Sequence, residues 1–355
     1  MKKRLAVLAL AGAMAVTSLA GCSSELDNSE VAITVNGDEV TADIANFYAR
    51  FTQAQYETYM ASYYGEDMWG SASEESSYQS SVKDSLAEAL EDMYLHEDHM
   101  ADYGVELTDA DMAAIEKAAA AFNEDNSAEA VEKVSGSEET VARVLELFTI
   151  QTKMTNEIYK TADLEVSDEE VAQMKMEFVV FAIASVDDDG NTVELTEDEI
   201  ADLKAEAETF AAGAAGAEDF AAYAEEQGYE AQETAFDAEE EQIIPAALAQ
   251  ATAALSEGET TAVVEGDNGF YVARLVSEFD EEATETERQN VISERKSAKL
   301  DEVLAAWREE AEIEVNEKVW EKIDFDKLSV TMEVDETEDY ADEVVTDDVA
   351  EAQGE

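Results

Sequence analysis

Between residues 41 and 160, apolar residues recur at intervals of three and four, the spacing that puts them on one face of an α-helix. Ile44, Phe47, Tyr48 and Phe51 form the first such stripe, with Thr41 as its cap; Leu86, Leu90, Met93 and Tyr94 form the second, ended by Gly104. Thr108 with Asp111 caps a third helix carrying Met112, Ile115 and Phe122, and a fourth is predicted from Ser137 to about Lys160 with Val141, Val144, Leu145 and Phe148 on one face. Before them Val31–Val35 alternates as a strand does, and Asn36-Gly37 is a tight-turn signal. The polar stretch 62–81 reads as a long loop or insertion.

The pattern changes at Ser167, where Ser167-Asp168-Glu169-Glu170 predicts a capping box. Met176–Ile183 follows as a buried strand, Asp187–Asn191 as a turn, and Thr196–Glu199 as a second box heading a helix to about Ala212. Asp219-Phe220 opens a short helix, and Pro245 suits a first helical position before Leu248 and Leu255. Thr261–Val264 and Phe270–Val276 read as two strands around the turn Gly266–Gly269. From Glu282 to about Ile313 the helical pattern returns, with Val291, Ile292, Leu300, Val303, Leu304 and Trp307 as its apolar positions. Its available partner is the first helical region, so the order predicts an α+β chain in which a small mixed domain interrupts a helical one.

Composition narrows the setting. The 355 residues hold 21 basic and 88 acidic side chains, a formal charge of −67. A phosphate backbone is held by Lys and Arg, so nucleic acid is excluded as a partner. The same field favours cationic segments of unfolded chains, or loosely held divalent ions. A salt-adapted or generally acidic proteome is the simpler explanation of such a charge. Cys22, the only cysteine, can form no internal disulfide.

That cysteine closes Leu19-Ala20-Gly21-Cys22, behind an apolar run from Leu5 to Leu19 that follows Lys2, Lys3 and Arg4. A basic start and an apolar run of fifteen residues, too short to span a bilayer, read as a secretory leader. The run resembles the lipobox of bacterial lipoproteins, which implies removal of residues 1–21 and acylation of Cys22, with 22–30 as a tether. Without the leader, 18 basic residues stand against 88 acidic ones, a formal charge of −70. Residues 331–355, with 11 acids and no base, read as an acidic disordered tail.

The mature chain resembles the PrsA-type foldase lipoproteins and SurA-type chaperones. Val35–Thr41 resembles their opening strand, turn and helix, and Leu90–Leu95 through Ala101–Asp109 is similar to their helix, glycine and Thr-Asp passage. Ala217–Ala224, Leu255–Glu259 and Asn268–Val272 resemble passages of a parvulin domain. The resemblance implies a helical chaperone domain from 31–165 and 281–330, with a parvulin-like domain at 166–280. It implies a lipid-anchored folding factor on the extracytoplasmic face of the cell membrane, with unfolded exported polypeptides as partners and no cofactor.

Parvulins isomerise the bond before proline, and active members usually carry two pocket histidines, one on the first strand and one on the last. Here the first position falls among Val179, Val180 and Phe181, and the second at Tyr271. No catalytic residue can be named, and weak or absent isomerase activity is expected. Phe178 or Phe181, with Ile243, Ile244 and Tyr271, are the candidate peptide pocket, against an ordinary role in the core. Tyr63, Tyr64 and Trp69, hard to bury together in a polar stretch, are the candidate client-binding residues. His96 and His99, three apart on a helix, could share a metal ion, but no other His or Cys is present and no metal site is expected. A solute-binding or adhesion lipoprotein is the alternative; a solute-binding fold would need repeated parallel strands that this sequence lacks.

Overall fold

Asn36 and Gly37 both take positive φ, 52° and 95°, the pair of left-handed residues that a two-residue hairpin turn needs. They join β2 (Val31–Val35) to β3 (Asp38–Thr41) in the computed structural model, which describes residues 13–18, 26–65, 68–69, 78–186, 192–237, 244–325 and 327–333. Ahead of them lies β1 (Met14–Ser18), and behind them α1 (Ala42–Tyr64), α2 (Tyr78–Asp98), α3 (Asp109–Asp125), α4 (Ala128–Lys133) and α5 (Glu138–Tyr159). The long loop expected over 62–81 is therefore shorter, because α1 runs on to Tyr64 and α2 starts at Tyr78. At α3, Thr108 and Asp111 form a reciprocal capping box, and Asp111 is further held by Lys153.

A second compact unit covers 162–298. It contains α6 (Asp168–Val171), β4 (Met174–Ala182), β5 (Ala184–Val186), β6 (Thr192–Glu194), α7 (Glu197–Ala214), α8 (Phe220–Gln227), β7 (Gln232–Phe236), α9 (Ala246–Ala253), β8 (Val264–Gly266) and β9 (Gly269–Ser277). The long helix α10 (Glu281–Glu310) begins there; β10 (Ile313–Val315), α11 (Glu317–Trp320) and β11 (Leu328–Met332) return to the first unit, which spans 1–161 and 299–355. Among the described residues, no helix is long and apolar enough to cross a membrane.

In the first unit β10 extends the hairpin to the order β10-β2-β3, and α1, α2, α3 and α5 supply the core. Phe47 meets Phe122 edge to face at 5.3 Å within it. β1 and β11 pair antiparallel as a separate two-stranded ribbon against α1. Met14–Ser18 thus lies in a strand although it falls inside the expected leader, and Met332, expected in the acidic tail, ends β11. Cys22 and residues 334–355 lie outside the described residues.

The second unit is built on the antiparallel sheet β7-β4-β9-β8, with β5-β6 as a separate hairpin. Several expectations are corrected here. The Ser167 side chain makes no capping bond, because the Glu170 amide donates instead to the Ser167 carbonyl at 3.2 Å and the Glu170 carboxylate is drawn to Arg295, and α6 is a single turn; Arg288 binds Asp168 at 2.5 Å and the Val166 carbonyl at 2.6 Å. Pro245 stands one residue outside α9, and the strand expected at 261–264 is β8, starting only at Val264. The first part of α10 belongs to this unit and not to the helical one. Besides Arg288, Arg295 reaches the carbonyl of Glu165 at 3.0 Å, and the Thr284 hydroxyl accepts from the Gln173 amide at 3.0 Å.

Candidate functional site

Side chains alternate across a strand, so each face of the central pair β4-β9 takes every second residue. Val179 and Phe181, with Phe270 and Val272, face α7 and α8, where Phe210 and Phe220 complete the packing. Met176 and Phe178, with Tyr271, Ala273 and Leu275, face α9 through Leu248 and Ala249, joined by Phe236 and Ile244. The candidate pocket residues therefore do not all converge. Phe178, Ile244 and Tyr271 share the α9 face, whereas Phe181, three residues from Phe178, points to the opposite face and packs on Tyr229 at 4.6 Å. Ile243 lies outside the described residues.

Register settles which first-strand position opposes Tyr271. Val180 is its Cα partner and packs on the α9 face, between residues 179 and 181 that do not. Counting in twos from Phe178 identifies the facing set, and the strand pairing then picks Val180. Over this pair Pro245 and Tyr271 close on Gly266, where an added Cβ would lie 2.9 Å from each of them. Burial raises the Tyr271 phenol above its ordinary pKa, helped by the charge of Asp267, so its hydroxyl stays protonated and able to donate.

The opposite face is closed by a cation the sequence reading passed over. Arg274, 7 % exposed on β9, donates to the carbonyls of Ala214 at 2.6 Å and Ala217 at 2.9 Å, and lies 5.5 Å over the Phe220 ring. The Ala214 carbonyl is the last of α7, where a positive charge is favoured, and Ala217 lies in the turn just beyond it. An arginine in an otherwise apolar strand was the available signal.

Both histidines belong to the helical unit and flank one tryptophan. His99 lies parallel to Trp307 at 4.3 Å and bonds Asp102 at 2.8 Å, while His96 meets the same ring edge-on at 5.6 Å. His96 Nδ1 contacts the Asp92 carbonyl at 2.6 Å and so must carry the proton, leaving buried Nε2 without a partner. Burial holds His96 below its ordinary pKa, against the opposing pull of Asp92. The unfolded chain therefore takes up a proton that the folded one refuses. Stability is expected to be full above about pH 6.5 and to fall as pH drops below it, by at most about 1.4 kcal/mol per pH unit from this group. Urea midpoints from pH 8 to 5 check this; His96→Phe should flatten the fall, and an unchanged slope would refute it.

The tyrosine-rich region divides. Trp69, 4 % exposed, donates to Glu57 at 2.8 Å and stacks on Tyr78 at 5.7 Å, so it belongs to the core and not to a client groove. Tyr63 is 86 % exposed, as Tyr59 is at 58 %. Tyr64 is in α1, but its side chain lies outside the described residues.

Residues 184–288 match the PPIC-type PPIASE domain family. The chain carries a PPIC-type domain. The match begins just after β4, so the strand bearing Phe178 and Val180 precedes the matched segment. No curated protein matches the chain. Solved structures similar to it include the foldase protein PrsA of Lactococcus lactis, at 14 % identity over 83 % of this chain and 98 % of that one, TM-score 0.33. PrsA of Streptococcus pneumoniae is similar at 17 % identity over 69 % and 92 %, TM-score 0.27, and a SurA-like chaperone of Campylobacter jejuni at 13 % over 80 % and 98 %, TM-score 0.28. The second unit, which holds this matched segment, has the antiparallel sheet and flanking helices of an α+β fold, with Val180 opposite Tyr271 where the parvulin resemblance expects histidines.

Proposed function

We propose that the chain is an extracytoplasmic folding factor that holds exported polypeptides, is tethered through Cys22, and has weak or no isomerase activity. The PPIC-type match over 184–288 carries this reading. The barrier to prolyl isomerisation comes from amide resonance, and a site lowers it only by favouring the twisted bond over the planar one. On the α9 face Val180 supplies no polar group, and Tyr271 supplies one hydroxyl. Phe178, Ile244 and Tyr271 are 6 %, 8 % and 6 % exposed, so a proline ring could reach only their edges. Binding of an apolar segment fits this face better than catalysis does.

The leader reading places the folding factor at the membrane. Removal of 1–21 and acylation of Cys22 would anchor it, since two acyl chains hold stably where one holds weakly. Tethering raises local concentration near emerging chains and so compensates for modest affinity. Exposed Tyr59 and Tyr63 are the aromatic surface of α1 that clients would meet.

The test compares the processed wild-type chain with Cys22→Ser. The variant should fractionate as a soluble protein, suppress aggregation of a chemically unfolded client at near-equal molar ratio, and accelerate proline-peptide isomerisation by less than about tenfold, about 1.4 kcal/mol. Isomerisation at the level of a two-histidine parvulin would overturn the weak-site reading. Membrane retention of the variant would overturn the anchor, and lack of aggregation suppression would overturn the folding role.

A further inference from the structure

β11 is fixed by α1 along one edge only. The Val330 amide donates to the Glu57 carboxylate at 2.9 Å, the Met332 amide donates to the Thr58 hydroxyl at 2.9 Å, and Gln53 donates to the Leu328 carbonyl. Backbone groups alternate along a strand, so those of 329, 331 and 333 point to the other edge. There β1 is seated: the Glu333 amide donates to the Ala13 carbonyl at 2.7 Å, and Thr331 and Ser329 pair with Ala15 and Thr17. The strand is thus held extended by α1 on its own account, with an edge formed to receive a second strand.

What sits on that edge is a piece of the expected leader. Met14 is buried and Val16 half-buried against the core of the helical unit beside fully buried Val330, while Ala15 is exposed. The Met14 amide, turned away from β11, donates to Asn126 at 2.6 Å. Recognition rests on backbone bonds and on two apolar side chains at alternate positions. Asp125, Glu129 and Glu333 border the cleft beside Met14 together with Lys133, which pairs with Glu129 at 2.9 Å, so Asp125 and Glu333 leave it net acidic and favour cationic flanks such as the leader's own Lys2, Lys3 and Arg4.

We infer that in the processed protein the β11 edge docks an extended apolar segment of an unfolded exported chain, in the place Met14–Ser18 occupies here. This deepens the proposed function and rests on the removal of residues 1–21. An open strand edge invites pairing by β-addition, with backbone bonds giving affinity and alternate side chains giving selectivity. A second copy is disfavoured as the occupant, because each mature chain carries a formal charge of −70 and the two would repel.

The probe is a fluorescent peptide of residues 13–19 with added lysines, titrated into the processed Cys22→Ser chain. N-methylation at Ala15, whose amide faces β11, should weaken binding by about tenfold or more, whereas at Val16, whose amide faces away, the change should stay within about twofold. Thr331→Pro should weaken the unmodified peptide equally without lowering the melting temperature, since the Thr331 amide serves only the β1 edge. No binding, equal loss from both methylations, or a dimer that Thr331→Pro dissociates would each overturn the inference. Aggregation suppression without peptide binding would leave the folding role standing and sink the docking edge. Position-dependent peptide binding without suppression would do the reverse.

Discussion

Gly269→Ala is expected to destabilise the PPIC-type domain by about 4 kcal/mol, combining backbone strain with overpacking against a neighbour that cannot yield. Gly269 opens β9 at φ 150°, pressed against β4 where the two strands first pair. An added Cβ would lie 2.1 Å from the Phe181 carbonyl oxygen, 2.9 Å from its carbon and 3.1 Å from the Ala182 Cα. All three are main-chain atoms of the partner strand, so no rotamer change relieves the clash. Relief would require the β4-β9 pairing to part at its first bonds, and that pair carries both faces of the domain's core. A loss of this size is a large fraction of an ordinary domain's stability. Trp69, Trp307 and Trp320 all lie in the helical unit, so tryptophan fluorescence leaves this domain silent. Hydrogen exchange at β4 and β9 reads it directly, and protection there should collapse. Gly258→Ala is the control: φ is 82°, but nothing lies within 4 Å of the added carbon, so only the backbone cost of about 1 kcal/mol remains. A Gly269→Ala loss no larger than that of Gly258→Ala would refute the argument.

Local signals in the sequence carried much of the fold. Asn36-Gly37 specified its hairpin, and Thr108 and Thr196 each head a helix with a reciprocal box, because a cap is a contact between residues three apart. β7 was missed because Gln232-Glu233-Thr234-Ala235-Phe236 has one large apolar residue, its burial being confined to the inward end of an edge strand. The division of α10 was also illegible. It depends on Arg288 and Arg295 reaching back more than a hundred residues to the stretch 163–170, and hydrophobic periodicity does not register such bonds.

The candidate site was half legible for a related reason. Tyr271 and Phe178 could be named from their residue types, but Phe181 could be separated from them only by applying the strand period, and Val180 chosen only from the register with β9. Trp69 shows the opposite failure. Its neighbours in sequence are polar, yet Tyr56, Tyr78 and Phe325 surround it, the last of these from the far end of the chain. A polar stretch predicts exposure only when nothing distant folds onto it.

Arg50→Ala is expected to cost the helical unit about 4 kcal/mol, the scale for removing one partner from a buried charged network. Arg50 is 6 % exposed on α1 and donates to Asn46 at 3.1 Å, Gln53 at 2.7 Å and the Asp324 carbonyl at 3.1 Å, with its guanidinium 5.7 Å over Phe325. Burial lowers its pKa to about 10, against the pull of Asp324 and Glu57, so the charge is held at neutral pH by these bonds and not by water. Truncation withdraws the donor from three acceptors at once and leaves a void under Phe325. The damage should not stop at α1. Gln53, which accepts from Arg50, itself donates to the Phe325 carbonyl at 3.1 Å and to the Leu328 carbonyl, so the same network sets where β11 begins. Tryptophan fluorescence in urea should show the loss, because Trp69 packs on Phe325. A variant that folds below its lowered midpoint should also bind the 13–19 peptide more weakly, since β11 would no longer be held extended from the α1 side. A loss under about 1 kcal/mol would show that the network is replaceable by water and that α1 does not pre-form the edge.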